Sequence, residues 1–246
     1  MKKLLFIVGT HGNEHYSISV IKKLRKEFKS FDYIIGNPKA IKTNVRFIES
    51  DLNRVFPGKK CGTYEEKRAL KIFNYMQAYD YVVDIHGVPK QKHEPFIILC
   101  NEINRVNSFK LAELLPIPKT VIWESLQSKT GPSVKLFKGA GFEIEYGLNN
   151  IPKAKYELER TLRIFLENIN MQKTKSYKKI IYRVIGKVSE LPHILNRNID
   201  SFKPIKAETT EYIPILPYAY KRTKDGCLFV NVEKLSKQKI NCYLSS

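Results

Sequence analysis

Apolar positions along the chain follow two rhythms. Residues 4–8, Leu4-Leu5-Phe6-Ile7-Val8, are an unbroken apolar run, the length and character of a strand buried on both faces. Residues 16–28 then place Ile18, Ile21, Leu24 and Phe28 at helical spacing. Residues 33–35 predict a short strand, closed by the turn chemistry of Gly36-Asn37-Pro38. Residues 64–76 return to the helical period through Leu70, Ile72, Phe73 and Met76. Tyr81-Val82-Val83-Asp84-Ile85-His86 reads as a second buried strand ending at Gly87. Residues 95–99, 120–123 and 142–146 are further strand segments, and 156–169 is an amphipathic helix. Strands alternating with helices predict an α/β layer fold with a parallel or mixed sheet. Ligands in such sheets sit beyond the carboxyl ends of the strands, where His11 and His86 both fall.

The pattern changes near Gln172. A basic polar stretch, Lys173-Thr174-Lys175-Ser176, leads into β-branched segments at 180–188, 211–216 and 228–232, separated by prolines at 192, 204, 214 and 217. Two unequal domains are expected, 1–173 and a smaller, mostly β unit at 174–246. The 246 residues carry 43 Lys+Arg against 24 Asp+Glu, a net charge of +19, which favours anionic partners. The lysines are spread along the chain, with no arginine-rich block and no aromatic RNA-binding signature. A solvated basic surface is therefore favoured over a nucleic-acid footprint. Cys61, Cys100, Cys227 and Cys242 form no CxxC pair, which points to reduced thiols. Met1-Lys2-Lys3 before residues 4–8 imitates a signal peptide, but the apolar part is too short. No stretch approaches the ~20 apolar residues of a membrane span. A cytoplasmic protein without a membrane segment is expected, with homo-oligomerisation left open.

Candidate chemistry lies at the strand ends. His11 and Glu14, three residues apart in Gly9-Thr10-His11-Gly12-Asn13-Glu14, can reach one point at a loop-to-helix junction; a helix-capping Glu beside an incidental His is the plainer alternative. His15, at i+4 from His11, lacks a correctly placed Glu and reads as a surface or core histidine. Asp84 and His86, at i and i+2 of a strand, share a face, so Asp84 can orient the imidazole as carboxylates do around zinc. Glu143 and Glu145 alternate within an apolar strand, and buried acids are costly unless paired or at work. Either could act as a general base. In the turn-rich stretch 44–58, Arg46, Asn53 and Arg54 suit a carboxylate, since guanidinium forks bind one bidentately. A surface loop with ion pairs to Glu49 and Asp51 is the alternative.

In this order the segments resemble the succinylglutamate desuccinylase/aspartoacylase family, relatives of the zinc carboxypeptidases. The matching pieces are Gly9 to Glu14, Asn37-Pro38 with Ala40, Arg46 with Asp51-Leu52-Asn53-Arg54, Asp84-Ile85-His86, and Glu145-Tyr146-Gly147. The resemblance implies a carboxypeptidase-like α/β/α sandwich with a smaller β domain narrowing the entrance. It implies one zinc ion per chain on His11, Glu14 and His86, with Glu145 as acid/base; Glu143 falls outside the pattern. Arg46 would polarise the scissile carbonyl, and Asn53 and Arg54 would hold the free carboxylate of a small anionic N-acyl amino acid. The chain departs from the family at Lys135, ten residues before Glu145, where aspartoacylases carry an arginine that helps select an acidic side chain. Lys135 keeps the charge and loses the planar fork. Phe229-Val230-Asn231 also lacks the tyrosine that usually follows in the family. The expected activity is amide hydrolysis of an N-acyl amino acid. A carboxypeptidase-like peptidase and an anion-binding protein with a decayed site are the alternatives.

Overall fold

Strand β1 (Leu4–Val8) sorts its side chains by alternation: Leu4, Phe6 and Val8 enter one apolar core, Leu5 and Ile7 the other. The structure is a computed structural model that describes residues 2–124, 129–170, 174–189, 199–207, 210–217, 219 and 227–245; Gln172, Lys173 and Pro192 lie outside them. Strand β1 pairs in parallel with β2 (Phe31–Ile35) and β3 (Tyr81–Pro89), and β3 pairs in parallel with β6 (Ala140–Leu148). Beyond β6, the strand β4 (Phe96–Leu99) runs antiparallel, followed by β5 (Lys119–Ile122) and β7 (Ile180–Val188). Strand β11 (Phe229–Lys234) adds antiparallel to β7 and β10 (Pro214–Ile215) antiparallel to β11, which makes a mixed sheet of nine strands among the described residues. Strands β8 (Ile205–Ala207) and β9 (Thr210–Tyr212) form a separate two-stranded ribbon.

Helices cover both faces. α1 (Tyr16–Glu27), α4 (Arg105–Ala112) and α5 (Ile151–Ile169) bury apolar side chains in the core under Leu4, Phe6 and Val8. α3 (Tyr64–Met76) places Ala69, Ile72 and Met76 in the core on the other face. The described residues also include the short α2 (Pro38–Thr43) and, towards the C-terminus, α6 (Lys237–Ser245). This is the expected α/β class, and its C-terminal part is rich in β structure. Among the described residues no helix is long and apolar enough to cross a membrane.

Several boundaries differ from the sequence expectation for local reasons. α5 begins at Ile151 rather than 156, because Asn150 accepts a hydrogen bond from Lys153 N and Pro152 suits the first turn. α2 and α4 carry too few periodic apolar positions to announce themselves. Strand β3 runs past His86 to Pro89, because its register against β6 continues through Pro89 and Leu148.

Candidate active site

Backbone economy at the end of β1 brings the first two residues into place. Gly9 turns the chain with a φ of +65°. The next glycine, Gly12, starts a 3-10 turn (Gly12–Glu14) pressed against α2, where an added Cβ would lie 2.1 Å from the Ala40 carbonyl carbon. His11 caps the start of this turn and Glu14 ends it, and both are buried. His86 enters from the neighbouring strand β3, and its backbone carbonyl accepts a hydrogen bond from the buried Tyr16 hydroxyl (2.9 Å).

The three side chains converge. His11 Nδ1 lies 2.8 Å from Glu14 Oε1, and His86 Nδ1 lies 3.3 Å from Glu14 Oε2. One ligand atom from each falls within 4.8 Å of the others. The far nitrogens face carboxylates. His11 Nε2 donates to Asp51 Oδ1 (2.9 Å), and His86 Nε2 is 3.3 Å from Asp84 Oδ2 and 3.6 Å from Glu143 Oε1. His11 Nδ1, though close to Glu14, lacks hydrogen-bond alignment with it and is a buried nitrogen without a partner. A proton held on Nε2 leaves a lone pair on Nδ1, the form a ligating imidazole takes. The donor set therefore fits a divalent metal with nitrogen and oxygen ligands.

Hydroxyls fix the supporting carboxylate. Asp84 accepts from Thr10 Oγ1 (2.9 Å) and from Ser133 Oγ (2.6 Å). Burial opposes a charge on His86, but Asp84 and Glu143, with Glu14 behind them, outweigh it and hold the imidazole pKa well above its ordinary value. For Asp51 burial is likewise outweighed, by His11 and Arg46, so its carboxyl stays well below the usual range.

Glu145 sits directly across from His86 in the β3–β6 register, and Glu143 across from Asp84. Both carboxylates are buried. Burial, reinforced by Glu14 and Glu143, pushes the Glu145 carboxyl well above its ordinary value. Glu143 accepts a hydrogen bond from Asn53 Nδ2 (3.0 Å), whose Oδ1 in turn receives Ser133 N (3.3 Å).

Arg46 donates to Glu14 Oε1 (3.1 Å) and to Asp51 Oδ2 (3.2 Å), at the edge of the histidine group. Its loop is held by a residue that the sequence pattern did not single out. Glu65, fully buried, accepts hydrogen bonds from Ile48 N, Glu49 N, Ser50 N and Asn37 Nδ2. A carboxylate in the first turn of α3 looks like ordinary helix chemistry, so only the tertiary contacts reveal it. Arg54 is exposed at the rim, with its guanidinium on the Asn53 carbonyl (3.0 Å). Lys135 is almost fully buried, with Nζ 3.6 Å from Glu102 Oε1. His15 is exposed and donates to the Gly12 carbonyl, apart from the group around Glu14.

A cavity of about 840 Å³ joins these parts: His11, Glu14, His86, Glu143 and Glu145 line it, as do Arg46, Asn53, Arg54 and Lys135. Every sequence-predicted site residue except Asp84, which stands behind His86, borders that one space.

The chain is similar to known proteins over most of its length. Residues 1–163 match the family model described as succinylglutamate desuccinylase/aspartoacylase catalytic domain. A probable aspartoacylase of Nostoc sp. is 25% identical over 252 residues, covering 88% of this chain and 82% of that protein. A probable aspartoacylase of Prochlorococcus marinus is 32% identical over 127 residues, 47% of this chain and 42% of the relative's length. The crystal structure of murine aminoacylase 3 superposes with a TM-score of 0.71 at 19% identity, covering 95% of each chain, which shows a shared fold. With two thirds of its length matched, including every segment that builds the cavity's histidine and glutamate cluster, the chain belongs to the succinylglutamate desuccinylase/aspartoacylase family.

Proposed function

We propose that this protein is a zinc-dependent amidohydrolase that cleaves the amide bond of an N-acyl amino acid. The observation that carries the proposal is the meeting of His11, Glu14 and His86 with the buried Glu145 in one cavity bordered by Arg46 and Arg54. Zinc held by those three residues would acidify a water molecule and polarise the amide carbonyl. Glu145, made a stronger base by its burial, takes a proton from the attacking water and returns it to the leaving amine. Arg46 offers its positive charge to the oxygen that becomes anionic. Arg54 and Asn53 hold the free carboxylate, which fixes the amide against the reacting groups. Asp84 keeps His86 oriented.

Residues 174–246 contribute Lys187, Leu216 and Ala219 to the cavity wall. We propose that they act as the unit that narrows the entrance, which favours a small acyl amino acid over a polypeptide. The intact donor set argues against a decayed anion-binding site. Cys61, Cys100 and Cys242 stand outside any disulfide, which supports a cytoplasmic setting.

Hydrolysis of a panel of N-acyl amino acids by zinc-loaded protein tests the proposal. Glu145→Gln is expected to lower kcat by about 10²–10⁴, the usual range for a general base, and Glu143→Gln by far less. The two carboxylates have exchanged roles if the losses are reversed. Absence of both bound metal and turnover sinks the hydrolase.

A further inference from the structure

The cavity changes character from one end to the other. Its charged end lies over β1, β3 and β6, with His11, His86, Glu143 and Glu145. On the next strand, β4, Ile98 stands opposite Glu143 and the floor becomes apolar: Ile98, Cys100, Trp123 and Leu216 line it in turn. Ile98, Cys100 and Leu216 are buried in the same apolar cluster, with Trp123 packed half-buried against it. Burial, followed by the nearby carboxylates of Glu143 and Asp84, pushes the Cys100 thiol well up, so it stays neutral at physiological pH.

The cation beside this floor is already balanced. The Lys135 side chain is only 2% exposed and its ammonium group lies 3.6 Å from Glu102. A second carboxylate brought in beside it would add a negative charge next to Glu102 and lose its own hydration, a costly exchange in a buried site. Lys187 also borders the cavity and is exposed. The volume, about 840 Å³, is towards the upper end of the roughly 300–1,000 Å³ typical of ligand sites. An amide and one carboxylate leave much of it unfilled.

We infer that the substrate carries a single carboxylate, held at Arg54 and Asn53, and a bulky apolar group that lies over Ile98, Cys100, Trp123 and Leu216. Lys135, paired with Glu102, does not read an acidic side chain there. The inference rests on the amidohydrolase reading and names its substrate class: monoanionic N-acyl amino acids with a large apolar part. That part has two sources, the acyl chain or the amino-acid side chain.

Zinc-loaded protein is assayed with N-acetylglycine, N-acetylaspartate, N-acetylphenylalanine and N-octanoylglycine. At least one of the last two is expected to exceed N-acetylaspartate in kcat/KM by about tenfold or more, the scale on which an apolar pocket discriminates. A gain with N-acetylphenylalanine assigns the floor to the side chain, and a gain with N-octanoylglycine assigns it to the acyl chain. Trp123 is the sole tryptophan of the chain, so its emission reports occupancy of the floor itself. Titration of Glu145→Gln, followed by that emission and by calorimetry, is expected to show the same order of affinities without turnover. Trp123→Ala is expected to reduce the preference for the apolar substrate over N-acetylglycine by about tenfold. Equal or better turnover or binding of N-acetylaspartate overturns the inference, as does a failure of both apolar amides to bind. Preferential binding of the apolar amides with no hydrolysis of any amide leaves the apolar site standing and removes the hydrolase.

Discussion

Each histidine of the candidate metal group has one nitrogen turned to a carboxylate behind it and the other turned to Glu14. Asp51 does this for His11 and Asp84 for His86. Such partners fix the tautomer and ring angle, and their loss typically costs about 10–100-fold in metal affinity. Asp84→Asn is therefore expected to weaken zinc binding by about that factor in a chelator competition, with the fold intact by circular dichroism. Zinc retention equal to the unaltered protein would make Asp84 a strand-end hydrogen-bond acceptor for Thr10 and Ser133 and nothing more. The pairing of Asp84 with His86 was legible because alternate residues of a strand share a face. The Ser133 hydroxyl and the Asn53–Glu143 hydrogen bond were not, since they join residues 49 and 90 positions apart. Separation in sequence likewise hid the Lys135–Glu102 pair, and with it the reason that a retained positive charge need not retain a selectivity.

Elements place the site as much as residues do. The loop carrying Arg46 has no regular structure from Val45 to Asp51, yet three successive backbone N–H groups in it end on the Glu65 carboxylate. Burial raises the pKa of that carboxyl, but those hydrogen bonds and Asn37 outweigh it, so the folded pKa lies below the ordinary 4.5. A depressed carboxyl contributes stability that is present above the unfolded pKa and lost as pH falls through the folded one. Unfolding by urea at a series of pH values is expected to show this contribution in full at pH 6 and fading below about 4.5. Glu65→Gln is expected to cost about 1–3 kcal/mol at neutral pH, as a buried acceptor is lost, and to flatten the acid slope. An unchanged slope would assign the acid sensitivity to other carboxyls. None of this was visible in the pattern of residues 64–76, where Glu65 reads as an acid favoured near a helix N-terminus. The long elements were legible because burial on one or both faces imposes a period. α2 and α6 were not, because α2 is a single capped turn and a half and α6 has no buried residue to impose one.

At the scale of the molecule, the sheet order decides what can meet. β1, β3 and β6 are adjacent and parallel, so His11, His86 and Glu145 arrive at one edge despite lying far apart in sequence. The meeting of His11 and His86 was legible from strand ends, whereas Glu145 was told apart from Glu143 only by the family resemblance. The continuation of the sheet through β7, β11 and β10 was not, because short β-branched runs carry no signal of their partners. A metal at this edge would bridge the turn after β1 to the body of β3, and so tie two adjacent strands together through side chains. Binding to the folded state alone stabilises it by an amount set by ligand concentration over dissociation constant, about 2.7 kcal/mol at a hundredfold excess. For a chain of this length that corresponds to roughly 5–10 °C in Tm. Scanning calorimetry of chelator-treated protein, with and without zinc in slight excess, is expected to show a rise of that order. His86→Ala is expected to remove the rise, because the remaining His11 and Glu14 come from one turn and no longer link the strands. Should zinc shift both proteins equally, the ion is binding at surface histidines and cysteines, and the buried group is not its site.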